Sequence, residues 1–260
     1  MYDFTGKSII VTGGSKGVGF GISQAFLAAG ADVFICGRTE PDTVPEANGK
    51  QAIFYRIDVR KPEETRSFIE SVLHTTGRLD VLINNAGGSP PINAADAPPK
   101  LTESIIRLNL IAPMILAQQA YHAMSKNGGS IINIASVSGE RPSPGTAAYG
   151  AAKAGLINVT RSLAQEWGQD QVRVNAIIAG LIKTEAANEH YGGAAGVKLI
   201  ETSLPMGRMA VPEDIANACL FLADSKAAYI SGAALEVYGG GEPPSFLKLA
   251  QEAYQMGQNF

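Results

Sequence analysis

The sequence predicts an α/β protein built on a doubly wound parallel sheet, with helices covering both faces. Three observations carry that expectation. Short apolar runs alternate with helix-period runs from Lys7 to Val237, the pattern of repeated strand–helix–strand units. The first apolar run empties directly into a glycine-rich turn that opens a helix. Polar residues stand just past several apolar runs, at the C-terminal edge where such sheets present ligands.

In chain order, Lys7 to Val11 reads as the first strand, and Thr12 to Gly19 (Thr-Gly-Gly-Ser-Lys-Gly-Val-Gly) as the turn into a helix ending near Gly30. Glycines there allow a sharp turn and close approach to a pyrophosphate, while the helix N-terminus offers unpaired N–H groups. Asp32 to Cys36 is the second strand, followed by Gly37 and Arg38 rather than the acid that would hold the ribose of NAD. Arg38 and Lys16 instead offer cations to the extra phosphate of NADP. The alternative is that both are solvated charges and Glu40 serves the ribose.

Ala52 to Ile57 is a third strand closing on Asp58-Val59, and Pro62 opens a helix to about Thr76. Asp80 to Ile83 is a fourth strand, delivering Asn84-Asn85-Ala86-Gly87 to the ligand edge. Pro90, Pro91, Pro98 and Pro99 bracket an exposed loop before a helix from Leu101 to about Lys126. Asn109 interrupts that helix's apolar pattern and, if buried, requires hydrogen-bond partners. Ser130 to Ala135 is the fifth strand, with Ser136 at its end.

Tyr149-Gly-Ala-Ala-Lys153 follows, on a helix rich in small residues that let a cofactor approach. Four residues apart, phenol and ammonium face the same way. A neighbouring cation favours the phenolate and lowers a pKa of ~10 by roughly one to three pH units, which suits proton exchange with a carbonyl or alcohol. Val172 to Ile178 is the sixth strand, ending in Ala179-Gly180. Residues 181–211 have weak periodicity, include His190 and Tyr191, and are read as a substrate lid, with His190 a surface residue. Pro212 starts a helix through Leu222, and Ala233 to Val237 is the last strand. The tail, residues 242–260, carries Phe246, Leu247, Leu249, Tyr254 and Met256, too apolar for water alone.

With 260 residues, 45% hydrophobic content and 21 basic against 24 acidic residues, the chain fits one globular domain, 1–260. A net charge of −3 without a basic block speaks against nucleic acid or an anionic membrane as partner. No apolar run is long enough to span a bilayer, and the opening residues lack a leader's pattern, so a cytoplasmic location is expected. Cys36 and Cys219 read as buried hydrophobes, and no metal site is expected.

From Lys7 to about Gly241 these residues resemble the short-chain dehydrogenase/reductase family. The motifs T-G-x-x-x-G-x-G, N-N-A-G, a Ser and Y-x-x-x-K occur in the family's order and spacing. The resemblance implies a Rossmann-type domain of about seven parallel strands, assembled as a homotetramer or homodimer. It implies Tyr149 as acid/base, Lys153 as the residue that lowers its pKa and holds the nicotinamide ribose, and Ser136 as the hydroxyl polarising the substrate oxygen. Asn109 would complete a proton path. Gly13, Ser15, Lys16, Gly17, Val18 and Gly19 would form the pyrophosphate turn, with Asp58 and Val59 beside the adenine. Asn85, Ala86 and Gly87 would lie on the ribose side, and Ile182 and Thr184 against the nicotinamide amide. Two departures stand out: Ala179-Gly180 where the family usually has Pro-Gly, and Tyr238 where it usually has Asp.

The expected function is reversible hydride transfer between NADP(H), favoured over NAD(H), and a ketone or secondary alcohol of 3-oxoacyl, steroid or small carbonyl type. The rivals are an NAD-linked alcohol dehydrogenase, a non-catalytic dinucleotide-binding regulator and a scaffolding protein.

Overall fold

The structure is a computed structural model that describes residues 2–185, 187 and 191–257, with the side chains of Lys248 and Gln251 outside the description. His190 lies outside the described residues. Seven parallel strands form one sheet in the order β5-β2-β1-β6-β7-β8-β9. These are β1 (Ser8–Thr12), β2 (Asp32–Gly37), β5 (Ile53–Arg56), β6 (Val81–Asn84), β7 (Gly129–Ser136), β8 (Val172–Ala179) and β9 (Ala234–Val237). Chain order runs outward from β1 to one edge, then returns to β6 and runs outward to the other. The reversal between β1 and β6 makes the crevice in which doubly wound sheets bind ligands.

Burial on both faces explains why the central strands are apolar throughout rather than alternating. Every residue of β1 is buried. On one face, α1 (Gly17–Ala28) and α7 (Pro212–Ala223) pack over Ile9, Val11, Ile35 and Ile177, with Phe4 and Phe26 edge to face at 5.0 Å. On the other, α2 (Pro62–Thr76), α4 (Ala112–Met124) and α5 (Ala147–Trp167) cover Ile10, Phe34, Leu82 and Val174. Trp167, the only tryptophan, stacks on Tyr121 at 4.7 Å. Cys36 and Cys219 are free and buried, one in each of these two cores, and burial pushes the Cys36 thiol up to about 12 and raises Cys219 as well. Among the described residues there is no cluster of metal-ligating side chains, and no helix is long and apolar enough to cross a membrane.

Three features depart from the expected elements. A short antiparallel hairpin, β3 (Glu46–Ala47) and β4 (Lys50–Gln51), turns at Asn48 and Gly49 with φ of 51° and 76°, as a tight Asn-Gly turn requires. Lys50 Nζ ties it to Gly30 O at 2.7 Å and to the Asp32 carboxylate at 2.8 Å. The long helix after the proline loop is not continuous: α3 (Pro99–Ile106) passes through a π-helical turn over Arg107–Ile111 before α4 begins. The lid region contains a helix, α6 (Gly193–Ser203), whose Val197 joins Ala187, Leu204 and Met209 in a small core. A last helix, α8 (Ser245–Gly257), follows β9.

Candidate active site

The glycine turn between β1 and α1 is shaped by what lies against it. Gly13 has φ +63° and Gly17 φ +50°, values a side chain disfavours. A Cβ at Gly19 would stand 2.2 Å from Gly13 O, so the helix can start this close to the turn only through glycine. No side chain caps α1 at Lys16, which leaves its first N–H groups available to an anion. Ser15 and Val18 lie half-buried along the turn. The turn is held from the neighbouring strand. Thr12 Oγ1 accepts the N–H groups of Asn85 and Ala86 at 3.0 and 2.9 Å, and the Asn85 carboxamide donates to Thr12 O and Gly13 O. The Asn85 side chain is therefore spent on fixing the first turn. Its neighbour Asn84 is buried and starts a chain of hydrogen bonds through Asn133 to Thr160, stitching β6 and β7 to α5.

At the ends of β2 and β5 the surface is cationic. Lys16 and Arg38 are exposed, as is Arg56, whose Nε donates to Arg38 O at 3.2 Å. Sequence reasoning passed over Arg56, although its place beside Gly37 follows from the pairing of β2 with β5. The Asp58 carboxylate is gripped by Arg60 at 2.6 to 3.1 Å, a pairing that holds it below its ordinary pKa, and Val59 packs beneath it against the core. On the far side of the turn, Thr184 Cγ2 lies 3.4 Å from the Cβ position of Gly17, and Ile182 bridges to Ala210. The start of the lid thus faces the glycine turn.

The second half of the site is built on β7 and α5. Gly139 lets the turn after Ser136 press on α5, since a Cβ there would meet the Ala154 nitrogen at 2.8 Å. This close packing brings the Ser136 hydroxyl, which accepts Ser138 N at 3.2 Å, close enough to Tyr149 to favour its ionised form. Lys153 is buried, donates from Nζ to Ile134 O at 2.7 Å, and lies 5.5 Å from the centre of the Tyr149 ring. Asn109 sits in the π-helical turn, fully buried, a location where such turns often serve function. Its Oδ1 accepts Gly88 N at 2.9 Å, and its Nδ2 donates to Gly88 O and Ile105 O. A Cβ at Gly87 would stand 2.7 Å from Asn109 Oδ1 and 3.4 Å from Lys153 Nζ, so both polar groups border the space this glycine leaves open.

Electrostatics correct one expectation. The sequence reading has the ammonium lowering the Tyr149 phenol, whereas here the phenol is raised. Burial is the largest cause, the Ser136 hydroxyl pulls the other way, and the Tyr191 phenol adds to the rise. Lys153 is itself pushed down to about 8 by burial. With its own value near 8, Lys153 has given up its charge before a phenol held above 10 ionises, so no ammonium is left to favour the phenolate.

The two departures noted in the sequence meet each other. Gly180 N donates to Val237 O at 3.1 Å, and a Cβ at Gly180 would meet Tyr238 Cβ at 2.6 Å. Tyr238 donates its hydroxyl to the Glu236 carboxylate. Beside them a cavity of about 520 Å³ opens, lined in part by Val137, Arg141, Leu181 and Glu242.

A doubly wound sheet with an anion-ready glycine turn, and a Ser–Tyr–Lys set on the same sheet edge, defines an oxidoreductase of the Rossmann class that works with a nicotinamide dinucleotide. Residues 13–242 match the family model described as enoyl-(acyl carrier protein) reductase. The chain is 36% identical over 241 residues to a 3-oxoacyl-(acyl-carrier-protein) reductase of Chlamydia trachomatis, covering 90% of this chain and 96% of that one. It is 34% identical over 245 residues to an L-fucose dehydrogenase of Oryctolagus cuniculus, covering 92% and 86%. A crystal structure described as a short-chain alcohol dehydrogenase from Sinorhizobium meliloti aligns with TM-score 0.85 and 33% identity, covering 92% of this chain and 97% of that one. The chain belongs to the short-chain dehydrogenase/reductase family, whose members act on CH–OH groups with NAD(P).

Proposed function

We propose that the protein carries hydride reversibly between NADP(H) and a ketone or secondary alcohol. One observation carries this reading: the buried Lys153 donates to Ile134 O at 2.7 Å and lies 5.5 Å from the Tyr149 ring, with Ser136 closing β7 at the sheet edge that also bears the glycine turn. Bound across that edge, the nicotinamide supplies or accepts the hydride. Gly13, Gly17 and Gly19 make room for the pyrophosphate, and the uncapped N-terminus of α1 stabilises its charge. Asp58 and Val59 would flank the adenine, Ala86 and Gly87 the ribose, and Ile182 and Thr184 the carboxamide. Lys16 and Arg38 would take the 2′-phosphate with Arg56 beside them, which favours NADP(H) over NAD(H).

In reduction, Ser136 and Tyr149 hydrogen-bond the substrate oxygen as negative charge develops there. A phenol held above its ordinary pKa is protonated at neutral pH, the state needed to give that oxygen its proton. Lys153 positions the ribose, and Asn109 borders the route by which the proton is replaced. Tyr149→Phe removes the proton and little else, so turnover is expected to fall by ~10²–10⁴-fold. Survival of turnover within a few-fold would refute the assignment. Michaelis constants for NADPH and NADH test the cofactor preference, and equal values would overturn it. The 3-oxoacyl and fucose activities named for its relatives mark the range of substrates in view.

We also read residues 181–211 as the substrate lid and α8 as a subunit contact. Phe246, Leu249 and Met256 are each more than 60% exposed in the single chain. Burying that stripe in a dimer or tetramer removes a face that water would otherwise have to cover. Turnover in the cytoplasm, with its pool of reduced cofactor, accords with this reading.

A further inference from the structure

Just past the end of β5, one arginine holds one acid from several sides. Arg60 Nε donates to Asp58 Oδ1 at 2.9 Å and to Oδ2 at 3.1 Å, and Nη2 donates to Oδ2 at 2.6 Å. The Arg60 backbone N–H adds a bond to Oδ1 at 3.0 Å. The guanidinium is fixed in turn by a distant element, since Nη1 donates at 3.2 Å to Oγ of Ser104 in the last turn of α3. The backbone of Asp58 is held as well. Its N–H donates to Glu64 Oε2 of α2 at 2.7 Å, and Lys61 Nζ takes the other oxygen of that glutamate at 2.7 Å. The Asp58 and Arg60 side chains nevertheless remain 17% and 28% exposed, so the pair is tied down and still open on one side.

An ion pair that meets water adds little to stability. What this one does is fix a direction. A carboxylate has about four acceptor positions, two on each oxygen. Oδ1 has both filled, by the Arg60 backbone N–H and Nε. Oδ2 receives Nη2 and only the longer share of Nε, so the open position lies on Oδ2. The guanidinium also keeps the carboxyl ionised at neutral pH, which makes Oδ2 an acceptor alone. Its place is the ligand edge of the sheet, where Ile57 N donates to Gly37 O at the end of β2. A 6-aminopurine can offer such an oxygen an N–H. A 6-oxopurine sets a carbonyl oxygen against it, acceptor facing acceptor.

We propose that Arg60 is a positioning residue of the dinucleotide site: it aims the open acceptor of Asp58 Oδ2 at the 6-amino group of the adenine, and so selects a 6-aminopurine over a 6-oxopurine. This rests on the reading that Asp58 flanks the adenine. It adds which atom reads the base and what holds that atom in place.

Calorimetric titration with NADP⁺ and with its hypoxanthine analogue reads this selectivity without turnover. The wild-type protein should bind NADP⁺ about tenfold or more tightly, the effect of one hydrogen bond to a charged acceptor. Arg60→Met should bring that ratio to within about threefold of one, chiefly by weakening NADP⁺. Arg60→Lys restores the charge without the planar fork, and should stay near the Met variant. A role confined to tying the loop to α3 would weaken both dinucleotides together and leave the ratio unchanged, and incomplete folding of a variant cancels from the ratio in the same way. An unchanged ratio in Arg60→Met, or full recovery in Arg60→Lys, would overturn the proposal. Asp58→Ala separates it from the reading beneath it. Selectivity lost in Asp58→Ala but kept in Arg60→Met would leave Asp58 on the adenine and remove the role of Arg60 alone. A wild-type ratio near one, or selectivity that survives Asp58→Ala, would take the adenine away from Asp58 and overturn both.

Discussion

Lys153 carries a cost that pH should reveal. Its ammonium is buried, and burial depresses it from the ordinary 10.5 to about 8 in the folded chain. The sign follows from proton counting. Between those two values the unfolded state holds a proton that the folded state has released, so stability rises with pH. At 1.36 kcal/mol per pH unit the full gap is about 3 kcal/mol, of which about 2 kcal/mol is regained between about pH 7 and 9.5. Lys153→Met abolishes the titration. It also leaves Ile134 O without its donor, a loss that does not change with pH and so drops out of the slope. Tyr149, raised by burial, opposes the gain only at higher pH, where the free phenol ionises. The assay is urea unfolding of the cofactor-free protein at fixed concentration, followed by the fluorescence of Trp167, which is buried against Tyr121. The wild-type curve should climb towards the variant's by about 2 kcal/mol over that range. Parallel curves would show that the buried amine carries no such cost.

Three further outcomes are expected. Asn109→Ala leaves Gly88 N and Gly88 O without their partner, and should cost about 1–3 kcal/mol in urea unfolding together with at least a tenfold fall in kcat; full turnover in a destabilised variant would make the residue purely structural. Gly19→Ala places a methyl 2.2 Å from Gly13 O and should weaken NADPH binding, read by quenching of protein fluorescence, by about tenfold or more. Unchanged affinity would mean that the turn does not hold the dinucleotide. A stop after Pro244 keeps the Arg141–Glu242 pair while deleting α8, and should reduce the assembled size in light scattering. An unaltered size would detach the tail from assembly.

Much of the fold was legible because parallel strands and their helices leave strong marks. Pro62 and the left-handed Gly77 delimit α2, and the helix spans Pro62–Thr76 as expected. The reversal of strand order at β1 and β6 follows from the same alternation. The hairpin at Asn48-Gly49 was signalled by its turn residues, yet its strands are two residues each and show no alternation to detect. The π-helical turn was visible only as a polar residue out of phase. Nothing in the local sequence says that a helix will insert an extra residue to aim Asn109 at Gly88. The clearest miss was electrostatic. Spacing puts phenol and ammonium on one face, but it does not report how deeply the pair is buried, and burial decides the direction in which the phenol moves. Arg141 and Glu242 were equally silent, because 101 residues separate them and only the closing of the sheet brings them together.

The two cysteines offer a practical consequence. Each is enclosed with its thiolate suppressed, Cys219 on the buried side of α7 in the core shared with α1 and Cys36 on β2 in the core covered by α2 and α4. Alkylating reagents therefore have nothing to attack until the molecule opens. Mass spectrometry of each modified peptide then times the two sides of the sheet separately, with no label to be engineered. A lag between Cys36 and Cys219 would reveal which layer lets go first.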